Sequence, residues 1–216
     1  FGLPSKDLMS RVKARGAFVM SSATTLDEAR WLVANGVDGV IAQGLEAGGH
    51  RGHFLSRDVT QQAHTFDLLK RLKPHIHVPI IAAGGIADAQ GVHTAMSLGA
   101  AAVQAGTVFL LCHEAKTSVL HRARLRDVHA PTALTNLFTG GLARGMFNRV
   151  MQELGPQHAA APAFPMATQS IAPLRSKAEL NQLDDFTPLW SGMNRSGCAE
   201  CPAAEIVDKL AVGFAN

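Results

Sequence analysis

Residues 37–52 read VDGVIAQGLEAGGHRG. The stretch 37–42 is an apolar run of strand length, and the ten residues after it hold four glycines around His50 and Arg51. Glycine loses more conformational freedom on folding than any other residue, so a cluster of them after a buried strand marks a backbone that needs unusual dihedrals or close approach. The same unit recurs along the chain. Apolar runs at 17–20, 37–42, 78–83 and 101–104 alternate with helical patterns near 6–15, 26–35, 61–72 and 89–98. Strands this apolar, each returning through a helix, predict a parallel sheet covered on both faces, and hence an α/β fold. Thr25-Leu26-Asp27-Glu28 reads as a capping box for the second helix, with Gly36 as its stop.

In such sheets the loops after strand C-termini carry the chemistry. Here they are 43–52, 84–88 and 106–111. In PIIAAGGIAD, residues 79–88, a strand runs into Gly84-Gly85 and then into a helix with Asp88 as N-cap, a backbone suited to an anion such as phosphate. The next strand ends in Gln104-Ala105-Gly106-Thr107, a second glycine loop with a hydroxyl beside it, and two such loops in succession predict a phosphate site. Among ten histidines, His50 alone combines a strand end, flanking glycines and the edge that bears these loops. An imidazole there can serve as general base or as donor to an anion near neutral pH.

Composition narrows the alternatives. With 216 residues, 47% hydrophobic and 17% charged, the chain can bury a substantial core. No apolar run reaches membrane-spanning length and no signal-peptide order opens the sequence, which reads as a cytoplasmic protein with no membrane partner. A net charge of +3 is mild, and the basic run 121–126 reads as the solvated side of a helix, not a nucleic-acid patch. Cys198-Ala199-Glu200-Cys201 lacks a second pair, so no metal is expected and the cysteines read as ordinary thiols. Beyond Glu114 the alternation stops, and a proline-bearing tail leads to Leu189-Trp190-Ser191-Gly192. It is expected as helices on the sheet with a loop returning to the site.

The order of QGLEAGGHRG, PIIAAGGIAD, AVQAGTVFL and PLWSGMN resembles the nitronate monooxygenase family, formerly called 2-nitropropane dioxygenases. The resemblance runs over nearly the whole chain. It implies an FMN enzyme on a (β/α)8 TIM-type barrel, of which 1–114 would be the C-terminal half and 115–216 a helical extension packed on it. It makes His50 the catalytic histidine, Gln43 and Gly48 flavin contacts, and Gly85, Gln104, Ala105, Gly106 and Thr107, with Gly84 beside them, the cradle of the phosphate and ribityl chain. FGLP at 1–4 resembles the end of a motif closing the fourth strand, so an earlier half barrel is expected to be missing. Met193 stands where a more polar residue is expected.

The activity so implied is oxidative denitrification of an alkyl nitronate of the propionate 3-nitronate type, or of a nitroalkane, with O2, giving a carbonyl compound and nitrite. Two rivals follow from the same residues. One is an FMN-dependent enoyl-acyl-carrier-protein reductase, which resembles this family and would need reduced nicotinamide. The other is a catalytically incomplete half barrel with open sheet edges. Dehydrogenases of the inosine monophosphate type share the glycine loops but need a nucleophilic cysteine at a strand end, where none of the three cysteines falls.

Overall fold

A computed structural model describes residues 1–214. The strands are β1 (Met20–Ala23), β2 (Gly39–Gln43), β3 (Gly49–His50), β4 (Ile80–Ala83), β5 (Ala102–Gln104), β6 (Thr132–Thr135) and β7 (Ala143–Met146). The helices are α1 (Lys6–Lys13), α2 (Leu26–Ala34), α3 (Thr65–Leu72), α4 (Ala89–Ser97), α5 (Val119–Leu125), α6 (Arg149–Leu154), α7 (Ala167–Leu180) and α8 (Ala203–Ala211). They fall into two compact units. One comprises Phe1–Glu46, Gly52–Ala105 and the chain from Lys209 onward; the other comprises Ala47–Arg51 and Gly106–Asp208.

The first unit holds a four-stranded parallel sheet in the order β1-β2-β4-β5. Each new strand is added beside the previous one with no reversal, the order of a TIM-type barrel and not of a doubly wound sheet with its switch point. The register aligns Ala23, Ala42, Ala82 and Val103 in one row and Gln43, Ala83 and Gln104 in the next, at the C-terminal ends of the strands. β4 is buried along its whole length, as its apolar run predicts. Leu32, Leu68, Leu69, Leu72, Val92 and Ala95 bury the inner faces of α2, α3 and α4.

Three local expectations shift. The first strand lies at Met20–Ala23, not 17–20. Met20 pairs with Gly39, and Asp38 binds the Val19 amide at 2.8 Å, so the neighbouring strand sets the register and the polar Ser21-Ser22 enter it. The third helix starts at Thr65, not 61, because the preceding residues turn through Gln62 N–H to Val59 O. Thr25 caps α2 as the box predicts, but Glu28 does not reach back to it. One Glu28 oxygen accepts from the amide and hydroxyl of Thr24, both at 2.7 Å, and the other from the amides of Phe54 and Leu55 at 2.7 and 3.4 Å.

The second unit departs most from expectation. Helices do occur beyond residue 114, but β6 and β7 join β3 in an antiparallel sheet of order β3-β7-β6. His50 thus lies on a short strand, paired with Ala143, and not in an open loop. The division between the units falls at Ala105/Gly106, with 47–51 belonging to the second. The basic run 121–126 is not a plain solvated face. Arg122 donates to the carbonyls of Leu111, Cys112, Ala115 and Thr117, Arg124 to that of Phe147, and Arg126 to the Glu200 carboxylate. Charge counts alone do not distinguish a solvated arginine from one that satisfies carbonyls.

Glu28 is 2% exposed and serves four donors. Replacing it with alanine leaves the Thr24 amide and hydroxyl buried without this acceptor. Glu28→Ala is therefore expected to lower the unfolding free energy by about 3 kcal/mol. Urea denaturation monitored by circular dichroism measures this, and a loss within experimental error of zero contradicts the clamp.

Candidate active site

In the first unit the strand ends converge on a small polar row. Gln43 and Gln104 flank Ala83 in register, and directly paired residues of a parallel sheet present side chains to the same face. Gly84 and Gly85 follow Ala83 with φ of 121° and 70°, dihedrals that side-chain-bearing residues rarely adopt. Asp88 caps α4 through the Gly91 amide at 2.8 Å, as expected. Its carboxylate already occupies the first helical turn, so an anion here would meet the amides of the glycine loop and not the helix terminus. Gln43 closes the 43–52 loop, its Oε1 accepting from Gly52 N–H at 2.7 Å.

Glu46 was not singled out by the sequence, and it organises this edge. Its carboxylate lies 2.9 Å from both the amide and the hydroxyl of Thr65, and 3.0 Å from His64 Nδ1. The Thr65 hydroxyl also lies 2.9 Å from Gly84 O. A side chain at Gly85 would start 3.1 Å from Glu46 Cβ, and one at Gly44 would collide with Thr65 at 2.0 Å. The available signal was His64-Thr65 at a helix start with no capping side chain of its own.

The second unit carries Gly48, His50, Gly106 and Thr107. Gly48 and Thr107 both meet Gly192: a Cβ on Gly48 would lie 2.5 Å from the Gly192 nitrogen, and that N–H donates to Thr107 Oγ1 at 2.9 Å. The 189–192 segment is thereby fixed within this unit, and the Gly145 bridge to Trp190 extends its β pairing. Gly106 differs from the other glycines. It is exposed, its φ of −128° is ordinary, and a Cβ there would find no atom within 4 Å. Met193 is 46% exposed.

His50 is half-buried in an aromatic pocket. Its ring centroid lies 5.5 Å from Trp190 and 5.6 Å from Phe164, and Phe138 stands edge-on to Trp190 at 5.6 Å. Nε2 is 2.8 Å from Thr139 Oγ1. Burial holds the imidazole below its ordinary range, so it is neutral at neutral pH. Thr139-Gly140-Gly141 escaped the sequence reading. Gly140 has φ 87° and would place a Cβ 2.1 Å from Pro162 O, which lets the 162–164 segment bring Phe164 against the histidine. The signal was a Thr-Gly-Gly triplet after Asn136-Leu137-Phe138.

The cysteines are unpaired thiols, and Cys198 donates to Thr107 O at 3.3 Å while burial pushes its pKa up to about 11. Among the described residues no cluster of His, Cys, Asp or Glu can hold a metal, and no helix is long and apolar enough to cross a membrane.

A family model described as nitronate monooxygenase matches residues 1–213. The nitronate monooxygenase of Pseudomonas aeruginosa is 37% identical over 212 residues, covering 97% of this chain and 60% of that protein. A probable nitronate monooxygenase of Bacillus subtilis is 35% identical, with 97% and 61% covered. The nitroalkane oxidase structure from Streptomyces ansochromogenes is similar at a TM-score of 0.91 and 35% identity, over 100% of this chain and 62% of that one. FabK from Thermotoga maritima is similar at a TM-score of 0.75 and 26% identity, over 97% of this chain and 64% of that one. The chain thus spans about 60% of the length of the curated relatives it matches.

The imidazoles give the second unit a pH signature. His50 and His121 are both held below the ordinary histidine range by burial, partly offset at His121 by a bond to the Trp190 backbone. A depressed folded-state pKa means the unfolded chain binds protons first, so this stability is complete above the unfolded value of about 6.5 and declines as pH falls below it. Denaturation midpoints are expected to drop between about pH 7 and pH 5, and His121→Gln should flatten the slope. An unchanged slope in that variant would exclude His121 as a source.

Proposed function

The chain belongs to the nitronate monooxygenase family, and on that premise we propose that it contributes the FMN-phosphate loops and the catalytic histidine of a flavin-dependent nitronate monooxygenase. The substrate class is an alkyl nitronate of the propionate 3-nitronate type, or its parent nitroalkane. Oxygen is the co-substrate, and a carbonyl compound and nitrite are the products. The observation that carries the reading is the strand-end row: Gln43, Ala83 and Gln104 in register, followed directly by two left-handed glycines and by Ala105-Gly106.

These residues fit the phosphate end of FMN. Gly84 and Gly85 are half-buried at the strand end with left-handed dihedrals, and Gly106 faces open space where a Cβ would stand. Gln104 is exposed at the end of β5, with both a donor and an acceptor to offer the ribityl hydroxyls. Gln43, Gly48 and Thr107 hold the flanking loops in place through Gly52 and Gly192. FMN would supply the redox chemistry between nitronate and oxygen.

His50 handles the proton and the charge. With a neutral nitroalkane, the neutral imidazole accepts the proton from the carbon next to the nitro group, and the electron pair remains on the substrate as the nitronate. With a preformed nitronate no proton need leave carbon, and an N–H of His50 serves as hydrogen-bond donor to the anion. Phe164 and Trp190 flank the ring on two sides.

Two measurements test the proposal. Gly106→Asp places a carboxylate in open space without disturbing packing, so it should weaken FMN binding tenfold or more, on the order of 1.4 kcal/mol, while Gly106→Ala stays near the parent. Equal affinity in both variants would remove Gly106 from the phosphate site. His50→Asn should lower turnover of neutral nitroalkane by roughly a hundredfold or more, and turnover of preformed nitronate by less, because Asn retains a donor. Nitrite release without added nicotinamide supports the assignment. Nicotinamide oxidation with an enoyl thioester and no nitrite would move it to an enoyl reductase.

A further inference from the structure

We propose that Arg195, buried and without a carboxylate partner, supplies the positive charge that makes the Gly106-Thr107 turn a site for a phosphate anion. The inference rests on the reading of this turn as part of the FMN-phosphate site, and it adds a full charge that amides and a hydroxyl lack.

A closed ring of hydrogen bonds ties the arginine to the turn. Thr107 Oγ1 accepts from Gly192 N–H at 2.9 Å, and Gly192 O accepts from Arg195 Nη1 at 3.2 Å. Arg195 O accepts from the Cys198 amide at 3.0 Å, and the Cys198 thiol donates back to Thr107 O at 3.3 Å. Two hydrogen bonds and one residue therefore separate Arg195 Nη1 from Thr107 Oγ1, a span of no more than about 10 Å. The ring also settles what Thr107 can offer. An amide only donates, so Oγ1 is committed to Gly192 as an acceptor, and among the described residues no acceptor takes its proton. That proton is left for a ligand oxygen.

Arg195 is 2% exposed, and its Nη2 donates to the carbonyls of Asp127, Val128 and Ala130. Its Nε is buried with no partner among the described residues. Carbonyl oxygens satisfy N–H groups but carry no net charge, so these contacts leave the guanidinium uncompensated. The other charged groups near it do little to change that. The exposed Asp127 carboxylate acts on it from beyond ion-pair distance, and Arg124 adds a like charge. Cys198, its pKa raised to about 11, is a neutral thiol at neutral pH. A buried charge is screened little by salt, and its desolvation is offset when an opposite charge comes close. An anion held by Thr107 brings that charge. Arginine suits the task because it stays protonated when buried and its planar fork reaches several carbonyls at once.

The test measures equilibrium binding of three probes to the full chain: inorganic phosphate by calorimetry, and FMN and riboflavin by flavin fluorescence. Riboflavin shares the ring system and ribityl chain of FMN but has no phosphate, so it senses the shape of the site and not its charge. Arg195→Met should weaken phosphate and FMN by about tenfold, as loss of a unit charge at this range implies, and leave riboflavin unchanged. Asp127→Asn removes the opposing carboxylate while keeping an acceptor for the His129 amide. It should strengthen phosphate and FMN by about threefold, again without effect on riboflavin. If circular dichroism shows that Arg195→Met does not fold, Asp127→Asn decides. No phosphate binding in the parent, binding that persists in Gly106→Asp, or phosphate affinity unmoved by the variants overturns the inference. Equal losses of FMN and riboflavin in Arg195→Met also overturn it, reducing Arg195 to a staple between the 127–130 turn and the 192–198 loop. If phosphate responds as expected but FMN does not bind, the charge assignment stands and the flavin reading falls. If FMN binds, is lost in Gly106→Asp and is indifferent to both charge variants, the flavin reading stands and the inference falls.

Discussion

The Glu46 carboxylate, 2.9 Å from both the amide and the hydroxyl of Thr65, is the contact on which the strand-end loops of the parallel unit depend. Helix α3 begins with amides that need acceptors, and His64 at its N-cap supplies none. Glu46 supplies one from the loop after β2. A carboxylate suits the position because charge-assisted bonds are the stronger kind and a helix N-terminus favours negative charge. The Thr65 hydroxyl lies equally close to Gly84 O, so the loop after β2, the start of α3 and the loop after β4 form one network. The hydroxyl's single proton goes to one of the two acceptors at a time, while the Thr65 amide holds Glu46 throughout, so movement of the loop after β2 away from α3 must break that amide bond.

This network changes what the glycines mean. A glycine can mark a place where a ligand approaches the backbone, or a place where the protein's own atoms do. Gly44, Gly48 and Gly52 are of the second kind, with a side chain at each colliding with Thr65, the Ser191-Gly192 backbone or Ser22. Gly84 and Gly85 are required by their dihedrals. Gly106 has neither reason, since its dihedral is ordinary and the space beyond it is open. The glycine-rich character of 43–52 is therefore mainly a packing requirement, and the argument for a phosphate site rests more on 84–85 and 106.

Much of the parallel unit was legible because its signals are local and physical. Apolar runs located β2, β4 and β5, and the Thr25 and Asp88 caps were read from residue type and position alone. What was not legible depends on partners distant in sequence. β6 and β7 are four residues each and include Thr132, Thr135 and Arg144, so neither length nor alternation distinguishes them from loop until they pair with each other. Glu28 was read as a local cap, while its second oxygen serves Phe54 and Leu55. Thr139 is 89 residues from His50, and no pattern in a single sequence connects them.

The choice of a hydroxyl beside His50 has a chemical logic of its own. Burial among Phe164 and Trp190 depresses the basicity of the ring, which keeps it neutral but weakens it as a base. Once the ring is protonated, a hydroxyl beside Nε2 can accept its N–H. A carboxylate would do so more strongly, but it would add a second negative charge where, on the proposed reading, the reacting species is itself an anion. At separations of several ångströms inside a protein, like charges repel by kilocalories. Thr139 Oγ1, 2.8 Å from Nε2, meets the ring with a neutral hydroxyl that can donate to it or accept from it, and so adds no charge beside the imidazole in either protonation state.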